Sequence, residues 1–151
     1  MGNSSLSYLP NALVIEVPEI DHQHARLFEQ LEVFKASCIE HNAFVSEEAE
    51  AIFQILVDHC ATEERLAAQA GLDFGRHGDK HRLMLSGIRK RLDAMAHPEA
   101  DVYGLIRYVE YWFERHITEE DKGLGQQLRQ SARLSEGKQF VDSFPAQQSS
   151  Y

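Results

Sequence analysis

Four segments of the chain repeat apolar side chains with the period of an α-helix, and each segment carries a histidine on its apolar face. The segments cover about 20–41, 46–70, 74–96 and 99–122, with short connections between them. No stretch alternates with period two, and there is no internal repeat or βαβ rhythm. Long helices joined by short connections favour antiparallel neighbours. The sequence therefore predicts an all-α fold, an up-down-up-down antiparallel four-helix bundle.

The two ends of the chain lack this pattern. Residues 1–18 contain Pro10 and Pro18 and no helical period, so we expect an extended arm there. Residues 19–123 hold the bundle, and residues 124–151 form a tail that is weakly helical or loose.

Local signals set the expected helix ends. Ser46 is expected to cap the second helix, and Gly71 to follow its last turn. Pro98 separates the third helix from the fourth. Asp21 lies in the first turn of the first helix, where the helix dipole favours a negative charge.

Composition restricts the partners that suit the chain. A length of 151 residues suits one domain, and a net charge of -9 argues against nucleic acid or an anionic membrane surface as partner. No apolar stretch reaches the roughly 18 residues that a membrane span requires, and the N-terminus lacks a secretion signal. Cys38 and Cys60 fall within helical patterns and are interpreted as reduced thiols, so we expect a cytoplasmic protein.

Two short motifs suggest metal ligands. His59 and Glu63 are four residues apart, as are His77 and His81, so each pair projects from one side of a helix. Imidazole suits zinc, copper, iron and nickel, and a carboxylate can bridge two cations. Either pair alone is a weak signal, since such spacing is common on exposed helix faces.

The two pairs, taken together with histidines of the other helices, are a stronger signal for metal binding than either pair alone. The apolar faces also carry His24 in the first helix and His116 in the fourth. A single histidine on such a face is usually a core residue with hydrogen-bond partners. Five histidines and Glu63 meeting in one core would leave many polar atoms unpaired unless metal binds them. This set is larger than one zinc ion needs and suffices for two metal ions.

The motifs resemble those of the hemerythrins, in particular bacterial hemerythrins and hemerythrin-like domains. The matching stretches are IDHQHARLF (20–28), HCATEE (59–64), HGDKH (77–81) and WFERHITEED (112–121). The resemblance implies a non-haem di-iron centre with two iron ions, Fe²⁺ or Fe³⁺, joined by an oxo or hydroxo bridge, that binds dioxygen reversibly. It implies that His77, His81 and His116 hold one iron and that His24 and His59 hold the other, which keeps an open coordination position. Glu63 and Asp121 would bridge the two irons.

Among the departures from the family pattern, two concern the expected pocket. Cys60 stands where phenylalanine is usual, and Phe113 where leucine is usual. We expect Cys60, Trp112 and Phe113 to line the dioxygen pocket. Either the ring of Phe113 fills space left by the small Cys60 side chain, or the two changes are independent of each other. The arm also lacks the tryptophan that often precedes the first motif.

Three classes of function are compatible with this resemblance. A dioxygen carrier or store needs only the bundle and is favoured. A sensor of oxygen or redox state would need a protein partner or an effector. A di-iron peroxidase or oxidase is less favoured, because oxidases of the ferritin type use more carboxylates and fewer histidines, and we expect no enzymatic activity.

The spacing of the last two ligands makes a geometric prediction. His116 and Asp121 are five residues apart, which on a regular α-helix leaves them about 140° out of register. Both can face the metals only if the helix widens into a π-turn or ends between them. His22, His41 and His97 match no ligand position and are expected at the surface, as are Glu64, Glu119 and Glu120.

Overall fold

Four long helices form the fold, as the sequence predicts. The structure is a computed structural model that describes residues 9–142, with side chains described up to residue 135. Its bundle helices are α1 (Pro18–His41), α2 (Ser46–Gln69), α3 (Gly75–Ala94) and α4 (Val102–His116). α1 packs against α2 and α4, and α3 packs against the same two helices, so the four form a ring in chain order. The connections are short, which gives the antiparallel up-down-up-down arrangement.

The fourth helix does not stop at the end of the bundle. A π-helical turn over Ile117–Asp121 follows α4, and α5 (Lys122–Asp142) continues from it and packs against α2. The segment for which the sequence allowed a weak helix or a loose tail is thus helical through Asp142. The rest of that tail, 143–151, lies outside the described residues.

The helix ends follow the predicted signals in part. Gly71 has a positive φ of 70° directly after the last turn of α2, as expected for a helix C-terminus. The prediction that Ser46 caps α2 is wrong, because Val45 holds the cap position and Ser46 is already helical. α4 begins later than predicted, at Val102, because the side chain of Asp101 accepts a hydrogen bond of 2.9 Å from the backbone of Gly104.

The described part of the arm, residues 9–17, packs closely on the bundle. It contains a 3-10 turn at Asn11–Leu13 and the buried side chains of Leu9, Leu13 and Ile15. The buried carboxylate of Asp21 accepts hydrogen bonds from the backbone of Ile15 at 2.9 Å and of Glu16 at 3.1 Å. Arg129 of α5 donates to the backbone oxygen of Ile15. The described part of the arm is therefore tied to both α1 and α5.

The two ends of the bundle have different cores. One end is an apolar layer contributed by all four helices, and its members are Leu31, Phe34, Ala49, Ile52, Ile88, Leu92, Leu105, Ile106 and Val109. The other end, where α1 and α3 begin and α2 and α4 finish, collects the histidines. In the part of the chain that the structure describes, no helix is both long and apolar enough to cross a membrane.

Candidate metal centre

Seven side chains with metal-binding atoms meet at the histidine end of the bundle. Six are buried, and only the side chain of His77 keeps some exposure, at 11%. These seven are the residues that the sequence singled out: His24, His59, Glu63, His77, His81, His116 and Asp121. Each of the four helices and the π-turn contributes at least one of them. The fold therefore brings the whole predicted ligand set together.

The seven side chains divide into two overlapping groups. Within each group, one nitrogen or oxygen from every member lies within 4.8 Å of the others. The larger group contains three histidines, His77, His81 and His116, and the smaller contains His24 and His59. Glu63 and Asp121 belong to both groups, so each carboxylate lies where it can contact two metal ions. This division matches the one that the resemblance implied.

The imidazoles point the same type of nitrogen at each other. Nε2 of His24 lies 3.2 Å from Nε2 of His59, at one side of the cluster. At the other side, Nε2 of His116 lies 2.9 Å from Nε2 of His81 and 3.4 Å from Nε2 of His77. The same atom of His116 is also 2.9 Å from Oδ1 of Asp121. One ring nitrogen can hold only one proton, so it cannot donate to all three neighbours.

Protons alone leave part of the cluster unsatisfied. Among the described residues, no hydrogen bond of good geometry reaches either carboxylate oxygen of Asp121, Oε2 of Glu63 or Nδ1 of His24. Asp121 does have histidine nitrogens 2.9 Å away, but the directions of their N–H groups do not suit a hydrogen bond. Such buried orphan atoms normally cost stability. A metal ion accepts lone pairs from several nitrogen and oxygen atoms at once, and the donor set of imidazoles with two carboxylates suits iron. The residues present therefore fit a pair of metal ions.

Without a metal ion, the charges within the cluster shift the pKa values of its two carboxyl groups. Burial and repulsion by the charge of Asp121 raise the pKa of the Glu63 carboxyl. The hydrogen bonds of His116, His77 and His81 outweigh both effects, so the pKa is lowered overall. The pKa of Asp121 also lies well below its usual range, because four histidines outweigh the effect of burial. Both carboxylates are therefore negatively charged at neutral pH.

Three histidines respond differently to these charges. Burial lowers the pKa of His77, but its contacts with Asp121 and Glu63 raise it to about 9. The same balance raises the pKa of His116 to about 10. For His81 the effect of burial prevails and the pKa falls. Two of the three histidines thus carry protons that a metal ion must displace.

Aromatic rings enclose the two-histidine side. The ring of Phe113 is fully buried and its centroid lies 5.2 Å from that of His24 and 6.0 Å from that of His59. Phe28 packs on the same ring at 5.2 Å. Cys60 is buried, and burial together with the negative charges of Glu63 and Asp121 raises the pKa of its thiol, so it stays protonated.

The three-histidine side is more open. Trp112 is half-buried there and, with His116, lines a cavity of about 110 Å³. It thus lies beside His116, and its predicted role in a dioxygen pocket stays a prediction. Phe74 stacks on the ring of His77 at 4.4 Å. The other residues lining the cavity are Lys80, Leu83, Met84, Arg115, Glu119 and Glu120.

The residues predicted to stand apart from the cluster do so. His22, His41 and His97 are exposed, as are Glu64 and Glu119, and Glu120 is half-buried. Two neighbours of the ligands received no role from the sequence: Phe74, and Gln23, which is hydrogen-bonded to His59. Searching the adjacent helix for a partner to the second ring nitrogen of His59 would have pointed to Gln23.

The fold and the site together define a four-helix bundle with a buried histidine–carboxylate cluster able to hold two metal ions. The family model for the hemerythrin HHE cation binding domain matches residues 15–128, which include all seven clustered side chains. The chain therefore belongs to the hemerythrin family. No curated protein and no solved structure matches it.

Proposed function

We propose that the protein binds dioxygen reversibly at a di-iron centre held by the seven clustered side chains. The observation that carries the proposal is the unequal division of the ligands. One group offers five donor residues and the other offers four, and the two groups share Glu63 and Asp121. With a bridging oxo or hydroxo group added, the larger group would fill six coordination positions of one iron, and the smaller group would leave one position of the other iron open.

The open position is on the side of His24 and His59. Because only one of the two metals would have an unoccupied position, the centre would bind one small ligand and no second one. Two ferrous ions held by these residues would supply the two electrons that dioxygen takes up on binding, and they would recover both electrons when the gas leaves. The protein side chains would hold the two ions and shield the open position from water.

The protein keeps this position dry. The ring of Phe113 covers His24 and His59 from inside the core, and Phe28 packs behind it. The Cys60 thiol remains protonated and so does not act as a competing anionic ligand. Excluding water from a reactive site suppresses side reactions, which here would be oxidation of the iron. The apolar enclosure therefore favours reversible binding over catalysis, and we propose no enzymatic activity.

A second use of the same chemistry is oxygen or redox sensing. Asp121 can bridge both metals, and α5 begins at the next residue, Lys122. A change in how Asp121 is coordinated would thus act directly on the start of a long helix. In that case α5 would transmit the change to a protein partner.

The proposal includes the cytoplasmic location, which the free, buried thiols of Cys38 and Cys60 support.

The test is a gas-exchange cycle on the iron-loaded, reduced protein. An absorption band in the visible range should appear in air, disappear under argon and return over several cycles. The matched control is Glu64→Gln, which changes an exposed neighbour of Glu63 and should cycle like the wild type. A band that forms once and is never reversed would contradict oxygen carriage, and a band that never forms would contradict dioxygen binding altogether.

A further inference from the structure

We infer that Gln23, held in place by Thr62, is a positioning residue that fixes the orientation of the His59 ring and thereby sets the metal affinity of the two-histidine position. The inference rests on the proposed metal centre and adds to it two residues that are not ligands. Gln23 belongs to α1, and Thr62 and His59 belong to α2. The contact therefore joins two helices directly beside the centre.

A chain of three hydrogen bonds carries the inference. Oε1 of Gln23 lies 2.8 Å from Nδ1 of His59. Nε2 of Gln23 donates to Oγ1 of Thr62 at 3.0 Å. The Thr62 hydroxyl in turn donates to the backbone oxygen of Asp58 at 3.1 Å, one turn earlier in α2.

This chain determines which atom faces which. A threonine hydroxyl has one proton, and here the backbone oxygen of Asp58 receives it. Thr62 can then only accept from Gln23, so the amide must turn its nitrogen to Thr62 and its oxygen to His59. That oxygen is an acceptor, and His59 must therefore carry a proton on Nδ1.

The tautomer has a direct consequence for metal binding. With its proton on Nδ1, neutral His59 presents the lone pair of Nε2, and Nε2 is the atom that faces the cluster. The hydrogen bond also stops rotation of the ring, because Nδ1 is anchored on the far side from the metals. Outer partners of this kind typically change metal affinity by about 10–100-fold.

The other ligand of this position has no such anchor. Nδ1 of His24 is buried, and it lacks a hydrogen-bond partner in the part of the chain that the structure describes. Gln23 precedes His24 directly in α1, so the same turn of helix supplies one ligand and orients the other. Gln23 and Thr62 are only half-buried, which allows their substitution without emptying the core.

The test is an anaerobic titration of the metal-free protein with Fe²⁺, measured by calorimetry. Gln23→Leu removes the acceptor at similar size, and Thr62→Val removes the hydroxyl that orients the amide. Gln23→Glu, unlike Gln23→Leu, keeps an acceptor for His59. The matched control is Gln54→Leu, which changes a glutamine on α2 that is bonded to the exposed side chain of Asp58.

We expect Gln23→Leu to weaken the binding of one iron about 10–100-fold and to leave the other iron unchanged. Thr62→Val should weaken the same iron by a smaller factor, and Gln23→Glu and Gln54→Leu should bind like the wild type. The melting temperature of each metal-free variant, measured in parallel, should match that of the wild type.

Three results would overturn the inference. Both irons could bind to Gln23→Leu as tightly as to the wild type, or both could be weakened equally together with a lower melting temperature, which would indicate a general structural role. Failure of Gln23→Glu to restore binding would also contradict it. A wild-type protein that binds fewer than two irons would instead contradict the proposed function.

Discussion

Asp121 follows His116 by five residues, yet its Oδ1 lies 2.9 Å from Nε2 of His116. On a regular α-helix five residues correspond to about 500°, which would point the two side chains about 140° apart. The π-helical turn at Ile117–Asp121 adds the extra residue to one turn and removes this offset. The spacing predicted either a widened turn or a helix end between the two residues, and the structure shows the widened turn. This local widening allows one helix to supply both a terminal and a bridging donor.

Asp121→Asn tests the bridging role of this carboxylate. The amide keeps the size of the side chain but removes the negative charge that both metal groups share. We expect the variant to retain fewer than two irons per chain when metal content is measured after gel filtration. The control is Glu120→Gln in the same π-turn, which lies outside both groups and should retain two irons. Two tightly held irons in Asp121→Asn would show that the carboxylate is dispensable.

The metal-free protein should lose stability as the pH rises above neutrality. The pKa of His77 is raised to about 9 and that of His116 to about 10, against an ordinary value of about 6.5. A group whose pKa is raised in the folded state stabilises that state fully below its unfolded pKa and loses this effect as the pH passes the folded value. We therefore expect the melting temperature of the metal-free protein to fall between pH 7 and pH 10.5.

The iron-loaded protein provides the comparison for this pH series. Its ligands are already deprotonated by the metal, so its melting temperature should be higher than that of the metal-free protein and should not follow the same curve. Equal melting temperatures with and without iron, or a metal-free protein that gains stability from pH 7 to pH 10.5, would contradict this electrostatic description.

Phe113→Ala should open a cavity beside the two-histidine position. The side chain is fully buried against His24 and His59, so its loss should cost about 3–5 kcal/mol in the free energy of unfolding. Water would enter the cavity, and the oxygenated protein should oxidise faster than the wild type. Denaturant unfolding and the decay of the visible band measure the two effects. Tyr111→Ala, an exposed position on the same helix, should change neither greatly.

Substituting Cys60 and Phe113 together should destabilise the protein less than the sum of the two single substitutions. One of the two alternatives from the sequence is that the large Phe113 ring compensates for the small Cys60 side chain, and both side chains are buried. Cys60→Phe alone should overpack the core at a cost of about 1–3 kcal/mol, and Phe113→Leu alone should leave a void. A double-mutant cycle should show the two costs to be less than additive. Strict additivity would mean that the two positions are independent.

The sequence predicted the bundle and the cluster because both depend on short-range spacing. The apolar period of each segment determines which face is buried, and histidines on that face, such as His24 and His116, must then meet in the core. Glu63 was indicated by its spacing to His59, but Asp121 could be assigned only through the family resemblance, since no local rule distinguishes it from its acidic neighbours Glu119 and Glu120.

What the sequence did not predict depends on contacts between distant parts of the chain. The bond from Gln23 to His59 joins residues 36 positions apart. The arm follows its path because Asp21 binds the backbone of Ile15 and Glu16, which places Glu16 at a positive φ of 62° that its side chain does not favour. For the segment after the bundle the sequence left a weak helix and a loose tail open, and contacts with the π-turn and α2 accompany the helical outcome.

The proposed function depends on two metal ions held side by side by Glu63 and Asp121. The most direct test is iron X-ray absorption spectroscopy of the loaded protein, combined with a count of iron per chain. Two irons about 3–4 Å apart, each with imidazole and carboxylate ligands, are the expected result. One iron per chain, or two irons without a short iron–iron distance, would contradict the account.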